Sequence, residues 1–150
     1  LKHVANAEGR AAFWNIAHPD EPDEWRPVDH SAVPAAVFSN PQIAAVGLTE
    51  RDAVADGVDV VIGRRDYGGT AYGWALADET SFAKVLVERG TGRVVGGHVV
   101  GPQAATLIQP LIAAIQFGQT AEQVARGQYW IHPALTEVVE NALLEAVAQL

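Results

Sequence analysis

The chain has 150 residues, 49% of them hydrophobic and 19% charged, enough for a globular domain with a packed core. Its net charge of −8 carries no Lys/Arg cluster, which excludes the electrostatic footprint of a nucleic-acid or anionic-membrane binder, and no apolar run is long enough to span a bilayer. The absence of cysteine excludes a disulfide scaffold and a thiolate zinc site; no signal-peptide pattern is present, and a start on Leu1-Lys2-His3 without methionine reads as a piece of a longer protein.

Residues 3–15 read as a helix, with Val4, Ala7, Ala11 and Trp14 approximating one face and Gly9 as a weak point. Residues 17–34 are rich in Pro, Asp, Glu and His and read as a linker. His18 and His30 stand there among acids without metal-ligand spacing, as solvated loop residues. The boundary with a compact domain falls near Val33.

From Ala35 the pattern changes to short strands. Residues 35–38 and 43–47 flank the turn Ser39-Asn40-Pro41. Thr49-Glu50-Arg51-Asp52 resembles a capping box that opens a short helix ending near Gly57. Residues 58–62 form another strand candidate, and Gly68-Gly69 marks a break before Tyr72-Gly73-Trp74, whose aromatics are core or interface anchors. Residues 82–88 and 94–100, joined through Gly90-Thr91-Gly92, have the composition of a hairpin. Gly96-Gly97 allows close backbone approach, with His98 a packed strand histidine.

Residues 103–117 read as one long helix with Leu107, Leu111, Ala114 and Ile115 on its apolar face and a kink at Pro110. Thr120 caps a shorter helix that Gly127 ends. Strands first and helices after predict an α+β fold, an antiparallel sheet with helices packed on one face.

The last stretch, Tyr129-Trp130-Ile131-His132-Pro133-Ala134-Leu135-Thr136-Glu137, sets an imidazole and a carboxylate at the two ends of a turn. Pro133 restricts its own backbone and that of His132. Thr136 is the N-cap candidate, which places Glu137 in the first turn of a helix with Val139, Leu143, Ala146, Val147 and Leu150 at helical spacing. A carboxylate on one ring nitrogen fixes the tautomer and leaves the other free for proton transfer. A His-Pro before a helix is more often a plain loop, and a first-turn Glu ordinary helix chemistry, so a structural turn remains the competing reading.

This stretch, with Glu137-Val138-Val139-Glu140-Asn141-Ala142-Leu143-Leu144 after it, resembles the carboxy-terminal signature of the pyridine nucleotide-disulfide oxidoreductases. The resemblance extends over nearly the whole chain. Residues 34–44 with Val46-Gly47-Leu48-Thr49-Glu50 resemble the entry strand of the family's dimerisation domain, and Phe82-Ala83-Lys84-Val85 and Gly96-Gly97-His98-Val99-Val100-Gly101 its central strands. Leu1-Lys2-His3-Val4-Ala5-Asn6 is similar to the tail of the flavin domain.

The resemblance implies two parts: residues 1–33 as that tail helix and linker, and residues 34–150 as the dimerisation domain. It implies His132 and Glu137 as an acid-base dyad serving the cysteine pair of the other subunit in a homodimer, on a low-molecular-weight disulfide. It also implies a cis bond before Pro133 and a cytoplasmic enzyme. FAD and NADPH belong to the full-length protein, with Lys2, His3, His132 and Pro133 beside the cofactor. The flavin and nicotinamide fingerprints and the cysteine pair would precede Leu1, so the fragment alone is expected to bind no cofactor and to be inactive. Nothing points to a metal. A dimerisation module without catalytic work, or a relative acting on dihydrolipoamide or glutathione disulfide, is the alternative.

Overall fold

Apolar runs between residues 35 and 100 pair into one antiparallel sheet. Its strands are β1 (Ala35–Val37), β2 (Ile43–Gly47), β3 (Val60–Asp66), β4 (Phe82–Glu88) and β5 (Val94–Val100), in the spatial order β1-β2-β5-β4-β3. The predicted β4–β5 hairpin is present, with a register shift between Leu86 and Val87. The computed structural model describes residues 1–150 and divides them into two units, Leu1–Val33 and Pro34–Leu150.

In the second unit, the direction each side chain takes follows from register. Gly63 pairs with Val85, Val85 with Gly97, and Gly97 with Val46, so these residues form one rung and point to the same face. A methyl group on Gly63 would lie 1.9 Å from the carbonyl oxygen of Ala142 in helix α7 (Thr136–Val147). One on Gly97 would lie 2.6 Å from Leu111 Cδ1 in α5 (Gln109–Gln116). Both helices therefore lie on the same face, as the α+β reading requires. Val85, Val87, Val99, Leu111, Val138, Val139 and Leu143 fill the space between, fully buried.

The opposite face has one short helix against it. Thr49 and Asp52 form the predicted capping box of α2 (Glu50–Ala55), and Glu50 holds Lys84 at 2.5 Å. Lys84 and its partner His98 belong to the rung next to Val85–Gly97 and so face the other way. The ring of His98 donates from Nε2 to the Leu48 carbonyl (3.0 Å), the packed strand histidine expected.

Three local readings need correction. The strand expected over residues 58–62 runs on to Asp66, because Gly63 admits the helix and Arg65 pairs with Ala83. After it, residues read as a break form a 3₁₀ turn (Tyr67–Gly69) and α3 (Ala71–Ala75), capped by Thr70. Tyr67 is wholly buried and donates its hydroxyl to the Pro102 carbonyl at 3.0 Å; burial, then the charge of Asp78, pushes its phenol up. The single helix over 103–117 is two, α4 (Ala104–Leu107) and α5, meeting at Ile108. Pro110 has no N–H to continue α4 and is accommodated in the first turn of α5 instead. Thr120 and Gln123 cap α6 (Ala121–Arg126), and Gly127 closes it, as expected.

The first unit is built on α1 (Lys2–Ala17), which has no buried residue. The segment read as a linker folds back on it. Trp14 stacks on His18 at 3.9 Å, the Arg26 guanidinium lies 3.5 Å from the Trp14 ring, and His30 meets Glu8 at 3.1 Å. Both histidines lie outside the helices, as read, and each has a partner within the unit, His30 remaining exposed. No helix of the chain is long and apolar enough to cross a membrane.

Candidate functional site

The turn between α6 and α7 is fixed at both ends. Trp130 Nε1 donates to the Ala125 carbonyl at 3.0 Å and anchors the segment on α6. Leu135, Val138 and Val139 sink the start of α7 into the core. Between them the His132-Pro133 bond is cis, as the resemblance implied. His132 Nδ1 donates to Glu137 Oε1 at 2.8 Å, and the Ala134 N–H donates to Glu137 Oε2 at 3.2 Å.

The carboxylate thus uses one oxygen to orient the ring and the other to hold the turn. This also corrects the cap. The chain is already helical at Leu135 (φ −66, ψ −16), so Thr136 lies inside the first turn, and its buried hydroxyl finds no hydrogen-bond partner. Glu137 reaches back in its place.

Burial separates the two side chains: His132 is 68% exposed and Glu137 17%. The imidazole hydrogen bond holds the Glu137 carboxyl below the usual glutamate range, against partial burial; the Ala134 N–H and the ring's positive charge add to the lowering. One turn on, burial and then the charge of Glu137 push Glu140 up. The pair therefore offers an orienting carboxylate, its charged form favoured by the imidazole, behind an exposed ring with Nδ1 engaged. Such a ring can take up and give back a proton at its other nitrogen.

The same ring lines an open groove of about 510 Å³, whose far wall is α3 with Tyr72 and Trp74 and whose floor includes Gly68 and Gly69. Sequence reasoning named these aromatics as anchors but did not place them beside His132; Thr70, a capping residue before Ala71-Tyr72-Gly73, was the available signal of a helix there. Of the cofactor candidates, His132 and Pro133 sit together on this groove. Lys2 and His3 occupy the first turn of α1 in the other unit. No group of three or more His, Cys, Asp or Glu is placed to hold a metal ion.

Comparison with known proteins gives this geometry a family. Mycothione reductase of Mycobacterium tuberculosis is 58% identical over 145 residues, covering 96% of this chain and 32% of the relative. Dihydrolipoyl dehydrogenase of Halobacterium salinarum is 38% identical over 154 aligned residues, covering 100% of this chain and 31% of that protein. Among solved structures, LpdA from Mycobacterium tuberculosis superposes with a TM-score of 0.75 at 28% identity, over 85% of this chain and 28% of that one. The chain thus spans about a third of the length of the curated relatives it matches. With the pyridine nucleotide-disulphide oxidoreductase dimerisation domain matching residues 33–143, the chain belongs to that family.

Proposed function

We propose that this chain is the dimerisation part of a homodimeric, FAD- and NADPH-dependent cytoplasmic disulfide reductase whose substrate is mycothiol disulfide, and that His132 and Glu137 are its acid-base dyad. Residues 1–33 are then the tail of the flavin domain. The 2.8 Å bond from His132 Nδ1 to Glu137 carries the reading, because it leaves an exposed, oriented ring nitrogen for sulfur chemistry.

A free thiol has a pKa of about 8.5, so an acid placed at sulfur has a clear task near neutrality. His132 takes the proton of the partner subunit's attacking cysteine as that thiol becomes a thiolate. The new sulfur–sulfur bond forms as the substrate's own breaks, and His132 returns the proton to the departing thiolate. Glu137 holds the ring and stabilises its charged form. Flavin and nicotinamide, when bound, supply the two electrons. Lys2, His3, His132 and Pro133 are the residues of this chain that would stand against the flavin. On the second unit the fit is that His132 and Pro133 both line an open groove.

In the full-length protein, His132→Ala should slow disulfide reduction by about 10²–10⁴-fold while reduction of the flavin by NADPH survives. Stopped-flow absorbance separates the two half-reactions. A loss of about threefold or less removes the proton-transfer role and leaves a dimerisation module. The identity to dihydrolipoyl dehydrogenases supports lipoamide as the competing disulfide, which parallel assays with both disulfides decide.

A further inference from the structure

We propose that Trp130 is a positioning residue of the dyad: with the amide of Gln128 it clamps the His132 loop onto the end of α6 and so fixes where the free ring nitrogen stands. This rests on the reading of His132 as the group that carries the proton. Glu137 sets how the ring is turned, through Nδ1, and the clamp sets where the ring is.

The loop has little else to hold it. Of residues 127–133, Trp130 alone is not exposed. Helix α6 ends here with carbonyls that the following backbone does not satisfy: the Gly127 N–H donates to Gln123 at 2.9 Å, but Val124 and Ala125 have no amide donor four residues on. Two side chains take that place. Gln128 Nε2 donates to the Val124 carbonyl at 3.0 Å, and Trp130 Nε1 donates to the Ala125 carbonyl at 3.0 Å. Tyr129 and Ile131 alternate with them and stand open, so the loop grips α6 with every second side chain only.

Val124 and Ala125 are buried, and a carbonyl left without a donor there costs free energy, so the bonds resist opening. An indole suits the task because its N–H sits on a rigid ring with few torsions to freeze. His132 follows two residues later, and Leu135, three further on, is buried in the core. The imidazole thus hangs between one anchor on α6 and one in the core, with too few residues on either side to drift far. Proton transfer needs the ring nitrogen within about 3 Å of the sulfur, and a displacement of about 1 Å can cost about 10²-fold.

The test uses the full-length enzyme and Trp130→Phe, which keeps an aromatic ring and removes the N–H. Alone, it should lower the limiting rate of disulfide reduction in stopped flow by about tenfold, with KM changed by less than about twofold and flavin reduction by NADPH intact. Combined with His132→Ala it should add less than about twofold, because no ring is left to place. Gln128→Ala, at an exposed side chain, should repeat the pattern at about threefold and decides the matter by the same criteria if Trp130→Phe does not fold. The clamp is overturned if the loss is as large in the His132→Ala background as in wild type, if it lies in KM, or if disulfide reduction is unchanged. Failure of His132→Ala to slow reduction would remove the proton-transfer reading instead, so the two outcomes stay distinct.

Discussion

Glu137 divides its oxygens between the imidazole of His132 and the amide of Ala134, so one side chain both aims the ring and shapes the turn that carries it. Glu137→Gln should cost less turnover than His132→Ala, because an amide oxygen can still accept from Nδ1; equal losses in kcat would mean that the negative charge outweighs the orienting bond. The same variant reads the carboxylate's share of stability. Its folded pKa lies below the ordinary 4.5, so that share is complete above 4.5 and is lost as pH falls through the lowered value. Urea midpoints of the fragment taken from about pH 5 to 3 should fall more steeply for wild type than for Glu137→Gln. The pairing of His132 with Glu137 was legible because a proline, an acid and helical spacing all lie within a few residues, whereas an acid-base role for it came from the family resemblance alone. The error over Thr136 arose because a cap depends on where the backbone turns helical, which the residue types alone do not encode.

At the scale of elements, tight contacts divide what sequence could reveal from what it could not. Strand alternation depends on residues two apart and a capping box on residues three apart; the Thr49–Asp52 box and the Thr120 cap came out as expected, the latter with Gln123 completing a box. The extension of β3 and the return of residues 18–30 onto α1 depend on partners farther along the chain, while the break before α5 is the local effect of Pro110, read only as a kink. Gly63 is the clearest case: it lies just past the strand read over residues 58–62, yet it is where α7 touches the sheet. Gly63→Ala should destabilise the domain by about 1–3 kcal/mol, since the obstruction is backbone and cannot rotate away. Gly9→Ala, in an open stretch of α1, should instead be neutral or stabilising by up to about 1 kcal/mol. Denaturant midpoints of both variants decide it, and an unchanged midpoint for Gly63→Ala would mean that α7 is free to shift.

For the molecule as a whole, the His132 loop exposes large apolar side chains. Tyr129 and Ile131 stand open on it, and Phe117 is open at the end of α5. Residues of this kind in a dimerisation domain call for a second copy, and an obligate interface buries roughly 2,000 Å² or more. Sedimentation of residues 34–150 should therefore give a dimer; a monomer at tens of micromolar would mean that the rest of the protein completes the interface. One further effect comes from the rung Gly63–Val85–Gly97. It works as a ruler: two helices rest at the places where side chains are missing, and the width of a single valine sets their spacing. Any bulk added at either seat would tilt a helix, and a tilt of α7 would carry the carboxylate away from its imidazole. Substitutions should thus be better tolerated at Tyr72 and Trp74, whose side chains are exposed, than anywhere on the sheet beneath.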